Sequence, residues 1–292
     1  MKGVFLFAEK GYELALGPSL MRGAAACGDE IVMKPLGEYQ GPEFDFGIIC
    51  GVVKREVLWD HIAKGHPILS LDKGYIRTRE MWNDASIPSY WRLCWNAVHP
   101  TRYLMAVKRD PERAERMGWK VGWTGVARDR NQGKTIVILG SSEKFHHTCH
   151  LPHPTEWAAT LVREIRQYSE REIVLRPKPS WANAVPVEGT TFDHGSKSAV
   201  ADTLKNAHVA ITYGSIACVD SVLAGVPVIC LGDAVARPIS STMIHDVENP
   251  RWASVDDRNQ WLANLAYCHW RPSEIHAGLA WATTKEMLRY AK

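Results

Sequence analysis

The sequence lacks an apolar run long enough to span a membrane. Its first apolar segment, Val4–Ala8, ends at the charged residues Glu9 and Lys10 and is too short for a secretory signal. A strong charge bias is also lacking, because the formal net charge is only +3 over 292 residues. That balance does not suit a dedicated nucleic-acid-binding protein, although it leaves room for a local basic patch. We therefore expect a cytoplasmic protein with no membrane span.

Cysteine pairs with the spacing of metal or redox motifs are lacking as well. The 7 cysteines are scattered, and most lie inside apolar segments, as Cys50 and Cys230 do. This usage predicts reduced thiols. One cluster of possible metal ligands consists of His146, His147, Cys149, His150 and His153. Adjacent ligands on one short segment give poor geometry, and no second group is near in sequence, so we expect no metal site.

The chain also lacks the glycine pattern of a dinucleotide-binding domain. Gly11 and Gly17 follow the first apolar segment, but their spacing is not that of Gly-x-Gly-x-x-Gly. A nicotinamide-dependent oxidoreductase is therefore not expected. Tryptophan, by contrast, is abundant with 12 residues. Such residues either stack on bases and sugars or fill the seam between two domains.

Strand and helix patterns alternate along both halves of the chain. Apolar segments predict strands at residues 4–8, 30–33, 46–52, 67–71, 135–139, 173–176, 208–213 and 226–233. Helical patterns lie at residues 13–27, 54–64, 103–117, 155–169, 199–206, 216–225, 258–267 and 272–290. The alternation predicts α/β halves with parallel sheets and right-handed crossovers. A polar, turn-prone segment at residues 128–133 predicts the boundary between them, and we expect a cleft there.

The most informative segment is a strand, a small-residue turn and a helix around Gly214 and Ser215. Gly214 permits a sharp turn, and Ser215 suits the N-cap of the following helix. The N–H groups at such a helix start favour an anion, so the segment predicts a phosphate site. The same turn also occurs in α/β folds that bind nothing, and both interpretations stay open.

Other polar turns follow the predicted strands at the same relative place. They are Asp72-Lys73-Gly74, Gly140-Ser141-Ser142, Arg176-Pro177-Lys178-Pro179 and Gly232-Asp233. Because ligands of open α/β sheets bind beyond the carboxyl ends of the strands, this shared position favours a ligand site.

The order of three of these motifs resembles that of the GT-B glycosyltransferases. Asp72-Lys73-Gly74 resembles their acidic-acidic-Gly motif, Arg176-Pro177-Lys178-Pro179 their Lys-Pro-His-Pro-like motif, and Gly214-Ser215 their serine-containing phosphate turn. Bacterial sialyltransferases and capsule-type Kdo transferases are the most similar families. The segments 214–229, 232–242 and 261–268 also resemble capsule synthesis proteins and, more loosely, uncharacterised phage proteins thought to be glycosyltransferases. The resemblance spans about two-thirds of the chain.

The resemblance implies an α/β fold with two Rossmann-like domains facing each other across a cleft. We expect an acceptor domain at residues 1–128, a nucleotide-sugar domain at 129–275, and a helix at 276–292 that packs back on the first domain. The implied activity is transfer of a sugar from a nucleotide sugar to an acceptor hydroxyl, with no cofactor and no metal. If the chain is phage-encoded, its location is the host cytoplasm.

Two departures from the family motifs bear on the donor. Lys73 replaces the second acidic residue, and Lys178 replaces the histidine. A lysine can hold phosphate by charge but is a weak proton donor near neutral pH. This favours a UDP-sugar over a CMP-sugar.

Asp72 is the candidate base, because it ends a buried strand, and His99 is the second candidate. Asp72 could instead cap the turn at Gly74, and a lone histidine such as His99 is more often structural than catalytic. The candidate donor and phosphate ligands are Ser141, Ser142, Arg176, Lys178, Gly214, Ser215, Asp233, Ser240 and Ser241. For Arg176 and Lys178, a solvated loop stiffened by prolines is the alternative.

The candidate acceptor residues lie in the first half and are Lys73, Arg77, Tyr90, Arg92 and Asn96. The density of arginine and tryptophan between residues 77 and 130 suits a DNA acceptor, such as a hydroxymethylated pyrimidine of phage DNA. The alternatives are a polysaccharide or lipid acceptor, a UDP-sugar epimerase of the same fold, and a non-catalytic nucleotide or nucleic-acid binding module. The sequence carries no prediction of oligomeric state.

Overall fold

The structure, a computed structural model, describes residues 1–8, 11–51, 55–75, 90–122, 133–195 and 198–291. The chain divides into two compact units. The first unit comprises residues 1–107 and 265–292, and the second comprises residues 108–264. No helix within the described ranges is both long and apolar enough to cross a membrane.

The described elements are numbered in chain order. The strands are β1 (Lys2–Phe7), β2 (Glu30–Pro35), β3 (Phe46–Cys50), β4 (Ile68–Lys73), β5 (Trp91–Trp95), β6 (Thr135–Leu139), β7 (Ile173–Arg176), β8 (Thr191–Phe192), β9 (Ala207–Thr212), β10 (Val228–Cys230) and β11 (His269–Trp270). The helices are α1 (Gly11–Ala25), α2 (Arg55–Ala63), α3 (Thr101–Ala106), α4 (Glu112–Arg116), α5 (Glu143–Thr148), α6 (Pro154–Ile165), α7 (Val200–Leu204), α8 (Cys218–Leu223), α9 (Val255–Ala266), α10 (Pro272–His276) and α11 (Leu279–Met287).

The sheet of the first unit has six strands in the order β11-β5-β4-β3-β1-β2. Strands β1 to β4 pair in parallel, as the strand–helix alternation predicts. Strand β5 turns back and pairs antiparallel with β4, and the short β11 pairs antiparallel with β5. Neither of these two strands was predicted from the sequence. The antiparallel end matters because it places the side chains of β5 and β11 beside those at the end of β4.

Apolar side chains from strands and helices fill the core of the first unit. One cluster consists of Val4, Leu6, Ile49, Val57, Leu58 and Ile68. Two glycines allow close packing in the same unit. A Cβ at Gly3 would lie 2.1 Å from the Phe46 ring, and one at Gly47 would lie 2.5 Å from the His61 ring. Larger residues at these two positions would displace a buried ring.

The C-terminal helices belong to the first unit. Helix α10 lies so close to α1 that a Cβ at Gly23 would be 2.0 Å from the carbonyl oxygen of Ile275. In α11, Trp281 Nε1 donates to Asp29 Oδ2 over 2.8 Å, and Lys285 Nζ lies 2.7 Å from the same oxygen. Burial alone would raise the pKa of Asp29, but the hydrogen bonds from Lys285, the Met1 amino group and Trp281 lower it to about 2.

The sheet of the second unit is parallel throughout, with the order β10-β9-β6-β7-β8. Strands β6 and β9 are fully buried, as segments covered on both faces should be. Helix α6 packs Ala158, Leu161, Val162 and Ile165 against one face of this sheet. Leu204 and Ala224 belong to a second cluster with Val137, Leu139 and Ala210.

The helix predicted over residues 103–117 is wrong. Two short helices, α3 and α4, stand in its place, and Val107 between them is extended with φ −118° and ψ 159°. Pro111 explains the break, because proline lacks an N–H and disfavours helical backbone in the residue before it. The predicted domain boundary at residue 128 lies outside the described residues, and the boundary at 275 stays a prediction.

Candidate functional site

The carboxyl edge of the second sheet brings the predicted turns together. Strands β6, β7, β9 and β10 run in parallel, so the turns that follow them lie at one edge. Gly140 N–H donates to the carbonyl of Arg176 over 2.9 Å, and the Thr212 hydroxyl donates to the carbonyl of Leu139 over 3.1 Å. Leu231 N–H donates to the carbonyl of Thr212 over 2.8 Å. These bonds hold the four strand ends in one fixed row.

The turn at Gly214 and Ser215 is held by its own side chains. Ser215 N–H donates to the Thr212 hydroxyl over 2.8 Å, and the Ser215 hydroxyl accepts from Ala217 N–H over 3.4 Å. Helix α8 begins only at Cys218, with Ala217 in the N-cap position. The prediction that Ser215 caps this helix is therefore wrong. The turn remains a short loop of small residues at the strand end.

Aromatic rings explain the glycines of this edge. A Cβ at Gly214 would lie 2.4 Å from the Phe145 ring, and a Cβ at Gly232 would lie 2.4 Å from the Tyr213 ring. The rings of Phe145 and Tyr213 contact each other edge to face with centroids 6.4 Å apart. The two turns are thus packed on a pair of aromatic side chains.

Three further predicted donor ligands lie at the same edge. Ser141 is buried, and Ser142 stands in the N-cap position of α5. Lys178 is exposed in the turn after β7. A small cavity of about 10 Å³ is lined in part by Ser141, Gly140, Pro177, Trp157 and Trp181. That enclosed space suits a water molecule, not a nucleobase.

Arg176 is engaged within its own unit. Its Nη1 lies 2.6 Å from Asp193 Oδ2 and 2.7 Å from the Ser198 hydroxyl, and its Nη2 donates to the Ser198 carbonyl over 2.8 Å. Burial alone would raise the pKa of Asp193, but hydrogen bonds from Thr203, Ser198 and Arg176 lower it. The guanidinium therefore fixes the loop after β8, and its predicted role as a phosphate ligand gains no support.

The remaining predicted donor residues follow β10. Asp233 is exposed. The Ser240 hydroxyl donates to the carbonyl of Ala236 over 2.7 Å, and the Ser241 hydroxyl accepts from Arg251 N–H over 2.8 Å. Ser241 also bridges to Ile229 in β10. Both serines hold the chain in place, so their predicted contact with the sugar stays a prediction.

A second group of polar residues lies at the carboxyl end of β4 in the first unit. Asp72 is paired with Arg92 in the antiparallel register of β4 and β5. Asp72 Oδ2 lies 2.8 Å from Arg92 Nη2, and Oδ1 accepts from Lys73 N–H over 2.7 Å. The Asp72 side chain keeps 31% of its surface exposed. The carboxylate is therefore both oriented and open to a ligand.

Arg92 is buried beneath an aromatic stack. Burial opposes its charge, but Asp72, together with Tyr75 and Cys94, raises the pKa of Arg92. Its guanidinium lies 5.0 Å from the centre of the Tyr75 ring, and that ring is stacked on His269 with centroids 5.1 Å apart. The Tyr90 ring also stacks on His269, with centroids 6.0 Å apart. Neither Tyr75 nor His269 was predicted as a site residue, because no motif marks them.

The second candidate base, His99, and the remaining predicted acceptor residues are spread apart. His99 is buried, with Nδ1 lying 3.2 Å from the Tyr75 hydroxyl. Asn96 has a positive φ of 54°, and its Oδ1 accepts from Ile68 N–H over 2.9 Å at the opposite end of β4. Ile68 and Asp72 are four positions apart along the strand, or about 13 Å. Asn96 therefore does not lie beside Asp72, and Arg77 lies outside the described residues.

Metal ligands do not converge in the described part of the chain. No group of three or more His, Cys, Asp and Glu side chains there has the spacing of a metal site. Within the predicted histidine cluster, His146 Nδ1 lies 2.8 Å from the carbonyl of Pro152, and His153 Nε2 lies 3.3 Å from Glu143 Oε1.

The fold is that of the GT-B class, and the predicted fold class is confirmed. The chain is similar to the structure of the beta Kdo 2,7 transferase of Thermosulfurimonas dismutans KpsC, with a TM-score of 0.54 and 15% identity over 96% of this chain and 99% of that one. It is also similar to the beta Kdo 2,4 transferase of the same KpsC, with a TM-score of 0.54 and 14% identity over 90% and 89%. At these identities the likeness concerns the fold. The sequence matches no protein-family model and no curated protein.

Proposed function

We propose that this protein is a glycosyltransferase that moves a sugar from a nucleotide-sugar donor to an acceptor hydroxyl. The observation that carries the proposal is the row of four turns at the carboxyl edge of the second sheet, in a fold shared with two Kdo transferases. Open α/β sheets bind ligands at that edge. The donor binds there, and Asp72 is the proposed base.

The reaction breaks one bond to the donor and forms one to the acceptor. The acceptor oxygen attacks the anomeric carbon, and the bond from that carbon to the phosphate oxygen breaks, with its electron pair leaving on the nucleotide. Asp72 takes the proton of the acceptor hydroxyl. Lys178 stabilises the charge that grows on the departing phosphate, so the mechanism needs no metal ion.

The donor that we propose is a UDP-sugar. Lys178 stands in the turn after β7, where the related motif has a histidine, and it is exposed. A lysine offers a fixed positive charge, which suits the larger charge of a departing diphosphate. A CMP-sugar, whose leaving group is a monophosphate, is the competing donor.

The acceptor that we propose is a hydroxymethylated pyrimidine of DNA, and a glycan or lipid hydroxyl is the alternative. Support for DNA is limited to the sequence, where arginine and tryptophan are dense between residues 77 and 130. Such residues hold phosphates and stack an extruded base. Several of them lie outside the described residues, so the acceptor has to be found by assay.

The test is a binding and turnover screen of the purified chain. Thermal shift and calorimetry with UDP, CMP and GDP identify the nucleotide, and the matching radiolabelled sugars are then offered to hydroxymethylated DNA, oligosaccharides and lipid acceptors. We expect UDP alone to bind and one acceptor class to become labelled. Binding of no nucleotide would overturn the proposal, and binding without any transfer or donor hydrolysis would favour a non-catalytic module.

A further inference from the structure

We infer that Arg92 is a positioning residue that holds the Asp72 carboxylate in the orientation needed to accept a proton. The inference rests on the proposed function, because it assigns a role within the same reaction. Arg92 does not have to touch the substrate to act in this way. It acts through Asp72, and the structure supplies three observations for it.

The first observation is the register of the sheet. Strands β4 and β5 pair antiparallel with Asp72 directly opposite Arg92, so the side chains leave the same face of the sheet. Arg92 Nη2 lies 2.8 Å from Asp72 Oδ2, and Lys73 N–H holds the other oxygen at 2.7 Å. With one donor on each oxygen, rotation of the carboxylate is restricted. The remaining lone pairs lie on a side chain that is 31% exposed.

The second observation is that Arg92 itself is immobilised. Its side chain is only 7% exposed, and its guanidinium packs on the Tyr75 ring at 5.0 Å. Tyr75 is fixed in turn, because its ring lies within 5° of parallel to that of His269 and its N–H donates to His269 Nε2. His269 lies opposite Arg92 in the pairing of β5 with β11. The Arg92 guanidinium that contacts Asp72 is therefore held in place by the packed rings of Tyr75 and His269.

The third observation is the asymmetry of exposure within the pair. A buried guanidinium carries a desolvation cost of several kcal/mol, and an ion pair in a sheet is often replaceable by apolar residues of similar volume. Here the cation is buried while its carboxylate partner remains open to solvent. Stability alone does not require this arrangement. This arrangement suits a carboxylate that contacts a substrate on its exposed side and is fixed by Arg92 on its buried side.

The experiment compares kinetics of the full-length chain with matched substitutions. Arg92→Gln is expected to lower kcat about 100-fold with donor KM unchanged, and Arg92→Lys about tenfold, because lysine keeps the charge but not the planar fork. Methylguanidinium is expected to restore part of the activity of Arg92→Ala, whereas methylammonium does not. The double variant Asp72→Asn/Arg92→Gln is expected to be no slower than Asp72→Asn. The reason is that both changes disable the same pair of interacting side chains.

Further variants separate positioning from folding. Tyr75→Phe keeps the ring under Arg92 and is expected to retain kcat within about twofold, while Tyr75→Leu removes the ring and is expected to lower kcat about tenfold. Arg171→Lys alters the ion pair with Glu248 in the second unit, at 3.0 Å, and serves as the control with unchanged kcat. Unfolding midpoints of all variants show which proteins are folded.

Three results would overturn the inference. If the wild-type chain is active and folded Arg92→Gln has the same kcat, the inference is overturned and the proposed function stands. The same holds if the double variant loses the product of the two single losses, since independent effects multiply. Absence of transfer by the wild-type chain with every donor and acceptor would overturn the proposed function and this inference together.

Discussion

The two sheets present different chemistry at their carboxyl ends. In the second unit every strand pair is parallel, and the edge consists of short turns of glycine and serine packed on Phe145 and Tyr213. In the first unit the sheet ends in two antiparallel pairings, which set the ion pair of Asp72 and Arg92 beneath an aromatic stack. Backbone N–H groups in turns can bind an anion, and a carboxylate fixed by hydrogen bonds can accept a proton. This difference supports the proposal that the second unit binds the donor and that Asp72 in the first unit accepts the proton.

The largest effect is expected from Asp72→Asn. An amide cannot take the acceptor proton, so kcat should fall by about 100-fold to 10,000-fold. Nucleotide affinity by calorimetry should stay the same, because the proposed donor site at the carboxyl edge of the second sheet belongs to the other unit. Asp45→Asn is the control: Asp45 is exposed, precedes β3 and accepts from Lys2 N–H over 2.7 Å. Full turnover in Asp72→Asn would remove the first unit from the chemistry.

The next effect concerns stability of the first unit. Asp29 has a pKa lowered from 3.8 to about 2 by Lys285, the Met1 amino group and Trp281, despite its burial. A carboxyl with a depressed pKa stabilises the fold above the unfolded value, and this stability is lost as the pH falls from about 4 to about 2. Asp29→Asn should remove about 2 kcal/mol at neutral pH, together with this pH dependence.

Hydrogen exchange of amides in β1 and α11 measures that change within the first unit. Amides of β6 and β9 in the second unit are the internal control and should not respond to Asp29→Asn. Equal loss of protection in both units would show that the network at Asp29 is not local to the first. Retained acid sensitivity of α11 in the variant would assign it to another carboxyl.

A smaller effect is expected at the donor edge from Gly214→Ala. The added Cβ would lie 2.4 Å from the Phe145 ring, so the ring or the turn must move. We expect nucleotide affinity to fall about tenfold, in the range of an overpacking penalty of 1–3 kcal/mol. The double variant Gly214→Ala/Phe145→Ala should recover most of the affinity, and Gly37→Ala, with no atom within 4 Å of its Cβ, is the control. No recovery would mean that Gly214 serves by its backbone alone.

The smallest effect is expected from Lys178→Ala. Loss of one exposed charge beside the departing phosphate should weaken nucleotide binding several-fold, and the loss should shrink at high salt. Lys134→Ala removes a similarly exposed lysine that precedes β6, at the opposite edge of the same sheet. Calorimetry at low and high salt separates the two. Equal affinity for both variants would exclude Lys178 from the donor site.

Much of the parallel architecture could be predicted from the sequence. The buried segments of β6 and β7 read directly as strands, because each is an apolar run that ends at a polar turn. The turns at the carboxyl edge of the second sheet follow from that pattern alone. The helix over 103–117 failed because its apolar periodicity outweighed Pro111 in the prediction.

The candidate site of the first unit was only partly predictable. Asp72 was found from its motif, but its partner Arg92 depends on an antiparallel register between segments 20 residues apart. His269 reaches the site through β11, a two-residue strand with no sequence signal of its own. Ser240, Ser241 and Asn96 were predicted as ligands, yet each forms a hydrogen bond with the backbone of the protein. Polarity alone does not distinguish a ligand from a structural hydrogen bond.

The position of β11 near the end of the sequence has a consequence for the order in which the two units fold. Residues 108–264 form the second unit from one continuous segment, whereas the first sheet needs a strand from the end of the chain that pairs His269 with Arg92. Contacts of such sequence separation form late, since a long loop must close first. The second unit should therefore fold ahead of the first, and the Asp72 region should be the last to form.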